Sequence, residues 1–151
     1  MSLSTCGSYL DTSFRSCKET AIKTFDAYTT DKNKTLITAS AWNAAAAVLV
    51  SYSALKTENY NAREWWSDVA IHVLNAVTCA AEAFTPSGVP KPIKSMLATA
   101  TSATIFANKA RLAAIAVSVA YNTETIPGIP EAIDVGNHGL TLAVLQKYGT
   151  K

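Results

Sequence analysis

Twenty consecutive positions, residues 36–55, carry no charged side chain. Wound at 100° per residue, Leu36, Ile37, Trp42, Val48, Leu49, Val50, Tyr52 and Leu55 point in nearly every direction. A helix apolar all round has no face to offer water and needs contact on all sides. The length is that of a membrane span. Yet five of the twenty are Ser, Thr or Asn and seven are Ala, so the average apolarity is modest. That favours a central buried helix, with a membrane crossing through residues 36–55 as the other reading. One strip of this helix is small throughout: Ser40, Ala44, Ala47, Ser51 and Ala54, at steps of 4, 3, 4 and 3. Such a seam lets a second backbone approach closely. A later helix rich in alanine, with Ala103, Ala110, Ala113 and Ala114, is the expected neighbour.

The rest of the chain supports the same architecture. Ala, Thr and Ser number 26, 18 and 13 of the 151 residues, and alanine is the strongest helix former. Leu3, Cys6, Leu10, Phe14, Cys17, Ala21, Phe25 and Tyr28 recur at helical spacing. Asp31-Lys32-Asn33-Lys34 breaks that pattern, and Thr35 suits the N-cap of the next helix. Asn61 with Glu64 has capping-box spacing and opens a third helix. On it Trp65, Trp66, Val69, Val73, Ala76, Val77, Ala80 and Phe84 share one side. Glu64, Asp68, His72, Asn75, Cys79 and Glu82 fall within about 80° of each other on the opposite side.

Three prolines between 86 and 92 make a loop. Beyond it Leu97, Thr101, Thr104, Asn108, Leu112, Ile115 and Val119 form a stripe that is partly polar in its first half. Gly136-Asn137-His138-Gly139 reads as a turn, and Leu140, Val144, Leu145 and Tyr148 as a short terminal helix. The expected fold is all-α: one domain over residues 1–151, an antiparallel bundle of four long helices near 3–30, 35–57, 62–84 and 93–122. A short C-terminal helix follows near 140–148. The short first connections favour antiparallel neighbours.

Chemistry is sparse. Glu64, Asp68 and His72 stack along one line of the third helix, and carboxylate with imidazole can hold a transition metal or move protons. An amphipathic helix needs a polar face in any case, and a solvated face is the expected role of these residues. The chain has two histidines, so a two-histidine metal site would need both His72 and His138. Cys79, on the polar face, is the thiol expected to meet solvent, whereas Cys6 and Cys17 sit on an apolar stripe. An odd cysteine count without paired spacing points to a reducing, cytoplasmic compartment. No Gly-x-Ser-x-Gly, Walker-type, Gly-x-Gly-x-x-Gly, Cys-x-x-Cys or His-Glu-x-x-His motif occurs.

Thirteen Lys and Arg against eleven Asp and Glu leave +2, and the basic residues are scattered, which argues against nucleic acid as a partner. The surplus of apolar surface, with no catalytic motif and no cofactor signature, favours a non-catalytic interaction or assembly protein that self-associates. The alternative is a helical bundle that binds an apolar small molecule or lipid.

Overall fold

The proline-rich segment at residues 85–90 separates two of the helices. The computed structural model describes residues 15–16, 19–56, 62–121 and 129–150, and all regular structure among them is helical. The chain divides into two compact units, Met1–Asp31 and Lys32–Lys151. In the first, α1 is described over residues 19–28 and closes where the Thr29 amide and hydroxyl both donate to the Phe25 carbonyl, at 2.9 and 2.6 Å. Leu3, Cys6, Leu10, Phe14 and Cys17 lie outside the described residues.

The second unit holds α2 (Lys32–Lys56), α3 (Ala62–Phe84), α4 (Lys91–Tyr121) and α5 (Ile129–Tyr148). Pro92 sits in the first turn of α4, where a missing N–H breaks no helical bond. The 31 residues of α4 reach about 46 Å. Helix α2 begins at Lys32, so Thr35 lies inside it and is not its cap.

Four helices pack in a ring: α2 on α3, α3 on α4, α4 on α5, and α5 back on α2. Side-chain pairs across α3 and α4 run in opposite directions: Asp68 with Arg111, Asn75 with Asn108, Thr78 with Thr104, Glu82 with Thr101. One number rises as the other falls, which is the antiparallel register expected. The last turn closes tightly at Gly149. Its amide donates to Leu145 O at 2.9 Å, and a Cβ there would stand 2.5 Å from the Thr101 methyl.

Four expectations need correction. The C-terminal helix is not short: it runs twenty residues and passes straight through Gly136-Asn137-His138-Gly139. No described residue has a positive φ, so these glycines are helical rather than turn-forming. A helical glycine costs roughly 1 kcal/mol, which the hydrogen bonds of buried Asn137 and His138 offset. Second, α2 is not central: Trp42, Val48, Leu49, Tyr52 and Leu55 are all exposed. Third, its buried face is Leu36, Ala39, Asn43 and Ala47, and it lies against α3, not α4. Fourth, the polar side of α3 is not solvated; Asp68, His72, Asn75, Cys79 and Glu82 are all buried.

The seam residues divide accordingly. Ser40 Oγ donates to the Ala76 carbonyl of α3 at 2.8 Å, a direct side-chain-to-backbone contact between helices. Ala47 is buried, Ser51 Oγ turns back to Ala47 O at 2.7 Å, and Ala44 is exposed. The Ala54 side chain lies outside the described residues.

Candidate functional site

Each of the four helices presents one inward stripe at helical spacing, and those of α3, α4 and α5 are largely polar. Helix α3 supplies Asp68, His72, Asn75, Cys79 and Glu82; α4 supplies Leu97, Thr101, Thr104, Asn108 and Arg111. Helix α5 supplies Asp134, Asn137, His138, Thr141 and Leu145, and α2 supplies Leu36, Asn43 and Ala47. Buried polar groups must find partners or forfeit roughly 1–3 kcal/mol each. Here most find them in layers along the bundle, with Asn137 Oδ1 and His138 Nε2 as exceptions.

At one end Glu82 accepts from Thr101 Oγ1 at 2.6 Å, from the Thr150 amide at 2.6 Å and from Thr150 Oγ1 at 2.8 Å. The next layer pairs Thr78 with Thr104 at 2.8 Å. Thr104 spends its hydroxyl hydrogen on Ala100 O, so Thr78 is the donor of that pair. Above them stand four asparagines, one from each helix: Asn43, Asn75, Asn108 and Asn137, all buried. Asn75 Nδ2 donates to Asn43 Oδ1 at 3.0 Å and to Asn108 Oδ1 at 3.1 Å, and Asn108 Nδ2 donates back to Asn75 Oδ1 at 2.6 Å. Asn43 Nδ2 reaches Thr141 Oγ1 at 2.8 Å, and Asn137 Nδ2 reaches Asn43 Oδ1 at 3.3 Å.

Two histidines rest on this layer. The rings of His72 and His138 are stacked, 4.9 Å between centroids and 9° from parallel. Both are buried, and both turn Nε2 toward one oxygen, Asp134 Oδ1, at 3.0 and 3.3 Å. Their other nitrogens face amides: His72 Nδ1 lies 3.3 Å from Asn43 Oδ1 and 3.1 Å from Asn137 Nδ2, and His138 Nδ1 lies 2.8 Å from Asn108 Oδ1. Burial would raise the Asp134 carboxyl, but the two imidazoles that face it, His138 and His72, outweigh burial and hold the group well below the usual carboxylate range.

The last layer is an ion pair. Arg111 Nη2 donates to Asp68 Oδ2 at 2.7 Å, and its Nε stands 2.6 Å from Oδ1. Burial pushes the Asp68 carboxyl up, and the Arg111 guanidinium opposes this in part. Arg111 Nη2 also lies 3.8 Å from Asp134 Oδ2, so the guanidinium links the two carboxylates.

Of the candidates Glu64, Asp68 and His72, the structure separates the two described. Asp68 is engaged by Arg111, while His72 joins Asp134 and His138; the Glu64 side chain lies outside the described residues. Among the described residues, His72, Asp134 and His138 are the group whose ligand atoms could hold a metal ion, all within 4.8 Å of one another. Both histidines are therefore brought together, but His138 arrives on a helix rather than on a loop. Asp134 was missed for the same reason. Its i, i+4 spacing to His138 was the signal, hidden by two flanking glycines that read as a break. Cys79 does not meet solvent: it is fully buried, and burial together with the Glu82 charge pushes its thiol up to about 12. No family model matches this chain, and comparison with curated proteins and with solved structures finds no match.

The outer surface is the inverse of the interior. Trp42, Leu49, Leu55, Trp66, Val77, Phe84, Met96, Phe106 and Val117 are all more than half exposed. Between α2 and α3 an apolar groove of about 450 Å³ is lined by residues including Ala47, Tyr52, Leu55, Val69 and Val73, and its side is open.

Proposed function

We propose that this chain is a non-catalytic assembly module whose outer faces are buried against further copies of itself. The observation that carries the reading is the inverted polarity of the bundle: among its described residues twelve polar or charged ones are buried, against eight apolar ones, while large apolar side chains stand outside. A protein alone in water loses the hydrophobic driving force on every such side chain, roughly 1.5–3 kcal/mol each. Contiguous exposed apolar area marks an interaction surface. The buried polar layers suit such a module, because hydrogen bonds between specific partners define one helix register where apolar packing alone would tolerate several. Exposed Lys109 falls midway along the bundle, at the height of the asparagine layer, which favours a protein cover over acyl chains. A charge facing lipid at that depth costs about 2.5–3.5 kcal/mol.

A bilayer is the second reading, favoured by two observations. Lys32–Tyr52 is long and apolar enough to cross a membrane, and only about a fifth of its apolar window is buried. Lys32, Lys34, Lys91, Lys94 and Lys147 also cluster at one end of the bundle, against Lys56 and Arg63 at the other, as in proteins with a lysine-rich cytoplasmic side. The open α2–α3 groove is where an apolar small molecule would sit.

Native mass spectrometry of freshly purified protein, with and without mild detergent, tests the proposal. A discrete oligomer formed without detergent supports self-assembly. A protein recovered from alkali-washed membranes, and monomeric only in detergent, overturns it in favour of the bilayer. A detergent-free monomer carrying an extractable apolar compound overturns it in favour of ligand binding.

A further inference from the structure

We propose that His72, Asp134 and His138 bind a divalent first-row transition-metal ion, of the zinc or ferrous class, inside the bundle. The proposal concerns the interior alone and does not depend on what covers the outer faces.

The geometry comes first. Two imidazole Nε2 atoms stand 3.0 and 3.3 Å from one carboxylate oxygen, and the three ligand atoms lie within 4.8 Å of one another. An ion bound tetrahedrally at about 2.0–2.1 Å has ligand-to-ligand edges of about 3.3–3.4 Å. Two edges of the cluster therefore match such a site, and binding an ion closes the third, now within 4.8 Å, by tilting the parallel rings until both Nε2 atoms converge.

The second observation is independent: one of these nitrogens has no hydrogen-bond partner. His138 is fully buried, and its Nε2 makes no hydrogen bond. The network fixes its tautomer. Asn108 Nδ2 is engaged by Asn75 Oδ1 and by Thr104 O, at 2.6 and 2.8 Å, so the atom facing His138 is the amide oxygen. An amide oxygen only accepts, so His138 Nδ1 carries the hydrogen of the 2.8 Å bond. A neutral His138 then leaves the lone pair of Nε2 without a donor, 3.3 Å from another acceptor, Asp134 Oδ1. A cation between them removes the conflict.

Third, the supporting groups are those of a metal site. Ligating histidines are normally anchored through the other ring nitrogen. Asn108 does this for His138, and Asn43 Oδ1, 3.3 Å from His72 Nδ1, can do it for His72 once that ring carries its hydrogen on Nδ1 and the Asn137 amide nitrogen, now 3.1 Å away, turns aside. Asp134, Asp68 and Arg111 together carry one net negative charge, which suits an incoming cation. Two imidazoles and one carboxylate match zinc or ferrous iron rather than calcium or magnesium, which take oxygen ligands. Three protein ligands leave a coordination position for water.

The rival occupant is a proton, making His138 an imidazolium that donates to Asp134. Titration of the chelator-treated full chain with Co²⁺ and then Zn²⁺ separates the two. The expected result is one equivalent of Co²⁺ with visible d–d absorption, displaced by Zn²⁺, and a rise in Tm with Zn²⁺ but not with Mg²⁺. His138→Gln and Asp134→Asn are each expected to weaken binding by about 100-fold or more, and Asn108→Ser by about 10-fold through the lost anchor, with helicity checked by circular dichroism. A folded wild-type chain that shows neither the absorption band nor the Zn²⁺-dependent rise in Tm overturns the proposal and leaves the proton. So does binding that survives unchanged in folded His138→Gln. Should the variants not fold, the wild-type Tm comparison between Zn²⁺ and Mg²⁺ decides alone.

Discussion

Asn75 and Asn108 exchange hydrogen bonds in both directions, each amide nitrogen donating to the other's oxygen at 3.1 and 2.6 Å. This reciprocal pair locks α3 to α4 at one register and orients the oxygen that holds His138. Replacing Asn108 by Ala leaves Asn75 Oδ1 and His138 Nδ1 without their partners. Urea unfolding should show a loss of about 2–3 kcal/mol. The Asn75→Ala, Asn108→Ala double mutant should lose less than the sum of the two singles, by about 0.5–3 kcal/mol. Additive losses would mean that the pair does not form.

Gly136 and Gly139 offer a direct test of the continuous α5. A Cβ at either position meets nothing within 4 Å, and neither has a positive φ. Gly136→Ala and Gly139→Ala should each raise stability by about 0.5–1 kcal/mol through helix propensity and the less flexible unfolded chain. A turn with left-handed glycines would respond with the opposite sign, so a lowered Tm in both variants would restore the turn.

Cys79 should be inert in the folded protein. A thiol near 12, against about 8.5 in an unfolded chain, has far less thiolate at pH 8.5. Alkylation at that pH, followed by mass spectrometry of the Cys79 peptide, should run about 100-fold or more slower in native protein than in urea. Comparable rates would mean that the inner face of α3 opens readily to solvent.

Ala47 and Ala44 lie three residues apart on the small-residue seam but differ in burial. Enlarging buried Ala47 to Leu should cost about 1–3 kcal/mol by overpacking against α3. Enlarging exposed Ala44 to Leu should leave the unfolding midpoint of the isolated subunit near wild type. If Ala44→Leu changes the oligomer measured by light scattering while stability holds, the outer half of the seam is a subunit contact. If Ala47→Leu changes neither stability nor assembly, the α2–α3 packing described above is wrong.

The long helices, the proline-rich break between α3 and α4 and the stripes along those two helices were legible in the residues alone, because helical periodicity is a local property of spacing. Leu97, Thr101, Thr104 and Asn108 recur on one line whatever surrounds them, as do Asp68, His72, Asn75, Cys79 and Glu82. Which side of such a line faces inward is not local. The usual rule sends the polar face of α3 to water. Only tertiary packing revealed that α4 and α5 each bring a polar stripe to meet it and α2 a single asparagine, so that Asn43, Asn108, Asn137 and Arg111 satisfy groups that water would otherwise have served. The metal cluster depends on the same fact. His72 and His138 stand 66 positions apart in the chain, and α5 had to continue through Gly136 before Asp134 and His138 could share one face. Local propensity disfavours that continuation by roughly 1 kcal/mol per glycine, and the buried hydrogen bonds it makes possible outweigh the cost only when the whole bundle is assembled.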